Sequence, residues 1–308
     1  MCGIAGIINL ENIEPVNKSI IRKMVKCIKH RGPNSNGFFE SDKLSLGSVR
    51  LSILDLSESG NQPMLNSNKD VVLAYNGEVY NFAEIRVILE SKGYVFRSET
   101  DTEVVLNAYI EWGLDSIYKF NGMFSLCIYD KRKDKIFLIR DRLGIKPLYY
   151  SIFDGKLIFG SEIKVILNYP NFPRKINHSG VSSYLSFRQV LGSKTLYDGI
   201  DELLPGNYIE VTGDNFKVKE YWDLSTAEVK GIENYGVSEL RKDVEHAVKR
   251  RMVSDVPIGC YLSGGIDSSI ISYVMSKHSS SNLKTYSINF EKVSLCLRLM
   301  PDKLSENR

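Results

Sequence analysis

No run of about 18 consecutive apolar residues occurs anywhere in this 308-residue chain, so nothing in it reads as a membrane-spanning helix. Cysteine is scarce and odd in number: Cys2, Cys27, Cys127, Cys260 and Cys296 make five. None forms a Cys-x-x-Cys pair, which argues against a zinc site or a disulfide framework and suits a reducing cytosol. Charge of one sign is lacking too. The formal net charge is +3, too small and too dispersed for a nucleic-acid surface. Lys131-Arg132-Lys133 is broken by Asp130 and Asp134 and reads as a solvated turn. The four histidines, His30, His178, His246 and His278, are scattered. No basic residue precedes the apolar start MCGIAGII, and Asn9 and Glu11 follow it, so it does not read as a signal peptide. Internal repeats, low-complexity tracts and a Walker loop are all missing. These absences predict a cytoplasmic globular chain of about two domains.

What is there begins at Cys2. Removal of Met1 would place a thiol and a free α-amino group on one residue. The amine titrates near pH ~8 and the thiol near ~8.5, so neutral solution holds usable unprotonated amine to take the thiol proton. That is an N-terminal nucleophile. The bland alternative is a small buried hydrophobe.

Apolar spacing at Val16, Ile20, Met24 and Ile28 predicts a helix over 16–29, opened near Pro15 and stopped by Gly32-Pro33. Strands are predicted over Leu44–Leu54, Val71–Tyr75, Met123–Tyr129 and Ile136–Ile139. Leu148–Phe153 and Lys156–Phe159 are joined by the hairpin signal Asp154-Gly155. A helix is expected over Glu103–Trp112. Such strand-rich blocks bracketed by helices predict stacked sheets under helices, an αββα sandwich. Gly206–Gly231 reads as a linker. Beyond 222 come an amphipathic helix from Val237, a buried strand Val256–Leu262, a helix Ile266–Lys277 and a strand Leu283–Phe290. This order predicts a doubly wound parallel α/β domain. The expected domains are 1–222 and 223–308, the second incomplete.

Ser263-Gly264-Gly265-Ile266-Asp267-Ser268-Ser269 falls at a strand-to-helix junction. Glycines admit close approach, and a helix start offers free N–H groups to a pyrophosphate. Asp267 is then placed to hold Mg²⁺ against it. The bland alternative is a Ser/Gly turn capping a helix.

Together the two motifs resemble the glutamine-hydrolysing asparagine synthetase family. MCGIAG, HRGP from His30, RLSILDL from Arg50, NQPM from Asn61, YNGEVYN from Tyr75 and SETDTEVVL from Ser98 carry the likeness. So do NGMFSLCIYD from Asn121, RDRLGIKPLYY from Arg140, FGSEIK from Phe159, LLPG from Leu203 and SDVPIGCYLSGGIDSS from Ser254. The resemblance implies a class II amidotransferase domain of the Ntn-hydrolase type, fused to an ATP-pyrophosphatase domain. It implies that Cys2 attacks the carboxamide of glutamine while the Asn76 amide and Gly77 N–H receive the oxyanion. Arg50 would hold the substrate carboxylate, and Asp101, with Glu78, the α-ammonium. It further implies ATP across Ser263–Ser269, with Leu262 and Ile288 lining the adenine and ribose pocket. ATP and Mg²⁺ would be substrate and metal, with no organic prosthetic group. Aspartate would be adenylated and then aminated. Glutamine, aspartate and ATP are the expected small-molecule partners, without nucleic acid or membrane, in a homodimer. His30 is read as structural rather than catalytic.

Two departures stand out. The family has Asp after HRGP, where this chain has Asn34. After Glu291 the text Lys292–Met300 has no family match, and the synthetase part is short. A frameshift or early stop is expected, with a second domain that buries its strands poorly. Alternatives are transfer of ammonia to another activated carboxylate, a glutaminase alone, and a non-catalytic remnant.

Overall fold

The computed structural model describes residues 1–10, 18–226, 235–279 and 282–288. The chain divides into two compact units, Met1–Glu228 and Val229–Arg308.

Among its described residues the first unit holds twelve strands in two sheets. They are β1 (Gly3–Asn9), β2 (Ser35–Glu40), β3 (Leu44–Arg50), β4 (Met64–Leu65), β5 (Val71–Val79) and β6 (Gly122–Asp130). Then follow β7 (Lys135–Arg140), β8 (Tyr149–Phe153), β9 (Lys156–Gly160), β10 (Asp201–Glu202), β11 (Asn207–Thr212) and β12 (Asn215–Glu220). Its helices are α1 (Lys18–Lys26), α2 (Phe82–Ser91), α3 (Asp101–Trp112), α4 (Ser116–Lys119), α5 (Ile163–Leu167) and α6 (His178–Phe187). One sheet runs β10-β8-β9-β1-β3-β2, the other β12-β11-β7-β6-β5-β4.

Alternation of side chains along each strand builds the layers. In β1, Ile4 and Ile8 join Leu44, Val72, Ala74 and Cys127 in a core between the sheets. Ala5 and Ile7 face the other way, onto Ile21 and Met24 of α1 and Val165 and Ile166 of α5. On the second sheet, Val71, Leu73 and Tyr75 pack outward onto Ile85 and Leu89 of α2 and Val104, Val105 and Ala108 of α3. Helix, sheet, sheet, helix is the αββα sandwich the sequence predicted. Both faces of both sheets are covered, which is why the central strands read as almost unbroken apolar runs. Asp154 and Gly155 have φ 53° and 64°, as a two-residue hairpin requires.

Some expectations need correction. The linker expected over Gly206–Gly231 is a β-hairpin over much of its length: β11 pairs with β12 from Asn207↔Glu220 to Thr212↔Asn215, and with β7 on its other edge. Tyr208, Ile209 and Val211 give β11 its apolar content, while exposed Lys217 and Lys219 on the edge strand disguise β12. The predicted strand 44–54 ends at Arg50. The helix predicted over 16–29 is α1, followed by a 3₁₀ turn at Lys29–Arg31.

The second unit contains α7 (Val237–Arg250), β13 (Gly259–Tyr261), α8 (Ile266–His278) and β14 (Lys284–Tyr286). β13 and β14 pair in parallel, joined by α8 as one βαβ crossover. The strand predicted over 256–262 is only three residues long, and only Cys260 of it is buried. Parallel strands need cover on both faces, and among the described residues this pair has no further strand beside it. Among the described residues of this unit, only Cys260, Val274 and Met275 are buried apolar groups. Pro15, Val16, residues 227–231, residues 289–290, the stretch Lys292–Met300 and Cys296 lie outside the described residues.

Candidate active site

Cys2 lies one residue before β1, whose register Gly3↔Val49 carries it to the end of β3. Leu51 N donates to Cys2 Sγ at 3.4 Å, and Sγ to Leu51 O at 3.7 Å. Arg31 Nε donates to the Cys2 carbonyl at 2.9 Å. Arg31 is itself tied to Glu162 at 3.2 Å, which also takes His30 at 2.8 Å and Lys164 at 2.9 Å. His30 thus braces the clamp from outside and does not line the cavity around Cys2. Met1 is in place in this structure. Burial pushes the Cys2 thiol up and the Met1 α-amine down from their ordinary values.

Around Cys2 is a cavity of about 370 Å³, the size of a small-ligand site. Arg50, Asn76, Gly77, Glu78 and Asp101 all line it, together with Cys2. They arrive from four separate stretches of chain.

Asn76 and Gly77 lie inside β5, opposite Ser125 and Phe124 of β6, so their dipeptide is not a hairpin turn. Asn76 is fully buried. Its Nδ2 donates to Ser125 Oγ at 3.4 Å, and its Oδ1 has no partner. Oxygen and nitrogen of an amide exchange places on a half-turn, so that unpartnered corner is equally a donor position. At Gly77 a Cβ would stand 2.3 Å from Met123 O, so no other residue fits there.

The Arg50 guanidinium is held by its own loop. Nη1 donates to Ser57 O at 2.8 Å, and Nη2 to Leu54 O at 3.1 Å and Asp55 O at 2.5 Å. These bonds fix its plane and leave Nε and part of Nη1 for an anion. Gly60 makes room for it, since a Cβ there would meet Nη2 at 2.1 Å.

Asp101 is the first residue of α3. Thr100 caps that helix, accepting from Glu103 N. Asp101 Oδ2 accepts from Tyr75 Oη at 2.7 Å and Val79 N at 3.0 Å, and burial raises its pKa to about 6. Burial also raises Glu78. Asn34 Oδ1 accepts from Ser52 N at 3.1 Å, a bond an aspartate would make equally, so the departure from HRGPD leaves the loop intact.

Gln62, Tyr75 and Lys146 escaped sequence reasoning as site residues, yet all three line the cavity. Gln62 Oε1 accepts from Tyr75 N at 2.7 Å. The strings NQPM and RDRLGIKPLYY contain two of them, but nothing in a string tells which member turns inward.

The Ser263–Ser269 loop belongs to the second unit. Gly264 has φ 86°, a conformation that favours glycine. Ser263 Oγ and Ser268 Oγ lie 3.1 Å apart, and Ser268 and Ser269 both donate to Gly265 O. The first turn of α8 carries no side-chain cap, so its N–H groups remain open to an anion. Leu262 and Ile288 follow β13 and β14 respectively and share the end of that pair; Ile288 is exposed. Asp267 is exposed on the first turn of α8. Among the described residues no group of three or more His, Cys, Asp or Glu could hold a metal ion.

A glutamine amidotransferase domain model matches residues 1–222, and an asparagine synthase model matches residues 239–302. A putative glutamine-hydrolyzing asparagine synthetase 2 of Methanocaldococcus jannaschii is 38% identical over 94% of this chain and 60% of its own length. Glutamine-hydrolyzing asparagine synthetase 1 of Bacillus subtilis is 36% identical over 95% of this chain and 46% of its own. The amidase chyE of Penicillium rubens is 31% identical over 96% and 47%. This chain therefore spans about half the length of the curated relatives it matches. Among solved structures, glutamine phosphoribosylpyrophosphate amidotransferase of B. subtilis, complexed with ADP and GMP, aligns with TM-score 0.55 at 16% identity. It covers 96% of this chain and 70% of that one, a likeness of fold.

Proposed function

Since this chain belongs to the glutamine amidotransferase family, with an asparagine synthase segment behind that domain, we propose that it hydrolyses glutamine at Cys2. The observation that carries this reading is the meeting of Cys2, Arg50, Asn76, Gly77 and Asp101 in one cavity. After Met1 is removed, the α-amine takes the Cys2 proton and Sγ bonds to the carboxamide carbon of glutamine. The oxygen gains the π electrons and is received by the Asn76 amide and the Gly77 N–H. Collapse breaks the C–N bond, and ammonia leaves with the proton from the α-ammonium. Water then hydrolyses the γ-glutamyl thioester to glutamate and restores the thiol. Arg50 takes the substrate carboxylate, and Asp101, with Glu78, its ammonium.

In the longer relatives' arrangement the ammonia would meet aspartate activated by ATP, giving asparagine, AMP and pyrophosphate. The open N–H groups of α8, with the Ser263 and Ser268 hydroxyls, fit a pyrophosphate. Asp267 would offer one carboxylate to a Mg²⁺ ion, which would neutralise phosphate charge there. Leu262 and Ile288 would flank the adenine. A reducing cytoplasm suits the free thiol. The amidase-named relatives favour a second reading, in which another activated carboxylate accepts the ammonia.

One incubation of purified protein with glutamine, aspartate, ATP and Mg²⁺ tests this, following glutamate, asparagine and AMP together. Glutamate release that disappears in Cys2→Ala supports the hydrolysis. Release that persists in Cys2→Ala overturns it. Asparagine and AMP in equal amounts place synthesis in these 308 residues.

A further inference from the structure

Almost every charge around the cavity is already committed. Asp141 accepts four backbone N–H groups, from Phe124, Leu143, Ile145 and Lys146. Asp101 Oδ2 accepts from Tyr75 and Val79, the Arg50 guanidinium is anchored by its loop carbonyls with Nε left for substrate, and Arg31 is anchored by Cys2 O and Glu162. Two charged groups have no such anchor. Lys146 is 4% exposed, and its ammonium has one partner among the described residues, the thioether of Met1 at 3.2 Å. A sulfur is a weak acceptor for a buried cation. Glu78 is half-buried, and its carboxylate makes no hydrogen bond or ion pair among the described residues. Both line the cavity that holds Cys2.

An uncommitted buried charge is costly unless something uses it. The partner of Lys146 is the very residue that N-terminal processing removes. We propose that Lys146 and Glu78 form an opposed pair of charges that sets the protonation of the Cys2 nucleophile. Lys146 holds the new α-amine neutral and the thiol ready to ionise, and Glu78 limits that bias. This rests on reading Cys2 as an N-terminal nucleophile. At the unprocessed terminus burial does most to lower the Met1 α-amine; Arg31 and Lys146 add to that, while Cys2 and Glu78 oppose it. A cation disfavours any neighbouring group in its more positive form, so it lowers amine and thiol together. Lys146 is thus a positioning residue acting through Cys2, and Glu78 acts on Cys2 in addition to its proposed place beside the substrate ammonium.

The test needs no glutamine. Processed protein is alkylated with iodoacetamide across the neutral range, and Cys2 modification is followed in the N-terminal peptide by mass spectrometry. Lys146→Gln moves the midpoint of reactivity to higher pH, and Glu78→Gln moves it lower, each by about half a unit or more. Lys146→Arg keeps it near the parent value. Thermal melts check folding. If Lys146→Gln does not fold, the downward shift of Glu78→Gln decides. Coincident midpoints, or two shifts in one direction, overturn the proposal. Normal shifts in a protein that releases no glutamate defeat the glutaminase reading and leave the charge pair standing.

Discussion

Tyr75 donates its hydroxyl to Asp101 Oδ2 at 2.7 Å, in a wall of the cavity where neither side chain is more than 6% exposed. The bond joins the middle of a central strand to the first turn of a helix. Burial alone would keep Asp101 protonated. The Tyr75 hydroxyl and the Val79 amide lower its pKa toward the usual carboxylate range, leaving it at about 6.

The first prediction follows from that value. In the proposed binding mode Asp101 must be ionised to attract the ammonium of glutamine. The apparent affinity for glutamine is therefore expected to weaken as pH falls through about 6. KM measured from weakly acid to neutral pH checks this. In Asp101→Asn the dependence disappears and KM is high throughout. For stability the sign reverses: a carboxyl raised from 3.8 to about 6 contributes stability at acid pH that is lost as pH rises through 6.

Tyr75→Phe removes one of the two bonds at Oδ2 and keeps the ring in its core. The acid limb of KM is expected to move to higher pH, with a stability cost of about 1–3 kcal/mol from the lost buried bond. The pH profile and a urea titration of the same sample separate the two effects.

Gly60→Ala puts a methyl where Arg50 Nη2 now lies, 2.1 Å away. The guanidinium must leave its loop carbonyls. KM for glutamine is expected to rise about 10-fold or more, since a charged hydrogen bond is worth about 1.5–3 kcal/mol. Steady-state kinetics beside an unchanged circular-dichroism spectrum would confirm a local effect.

Gly6→Ala addresses the core. The added carbon would lie 2.1 Å from the Phe159 ring between the sheets. Overpacking of this kind costs about 1–3 kcal/mol. A fall in the urea midpoint with unchanged slope is the expected outcome.

A fragment ending near Trp222 is expected to fold and keep the glutaminase activity, because all three apolar cores of Met1–Glu228 are built within that unit. Glutamate release per mole should match the full chain. Loss of the activity with an intact fold would count against placing it in this unit.

The site was more legible in the sequence than the fold's edges were. Cys2, Arg50, Asn76, Gly77 and Asp101 each sit in a string with strong chemistry, and they line one cavity. Lys146 was hidden because an ordinary lysine in a loop carries no sign of burial. That depends on Asp141 gathering the loop's backbone N–H groups and turning the side chain inward. The β11–β12 hairpin was mistaken for a linker for a different reason. Gly206 and Gly213 signal breaks, and an edge strand with one face in water keeps few apolar residues. The strand at Val256–Leu262 erred the other way. Its apolar text is that of a central strand, and among the described residues it pairs with β14 alone.

A chain end is usually the loosest part of a domain. Here the strand that starts directly after Cys2 is laddered to β3 on one edge and β9 on the other, and Ile4 N also donates to Ser161 Oγ at 3.0 Å. Cys2, the proposed nucleophile, therefore inherits the rigidity of the sheet's centre instead of the fraying of a terminus. Amide protons at Ile4 and Ala5 should exchange with solvent only as slowly as global opening allows. The same ladder means that residues added before Cys2 would leave the fold intact while masking its amine, so a blocked protein would be silent without being unfolded.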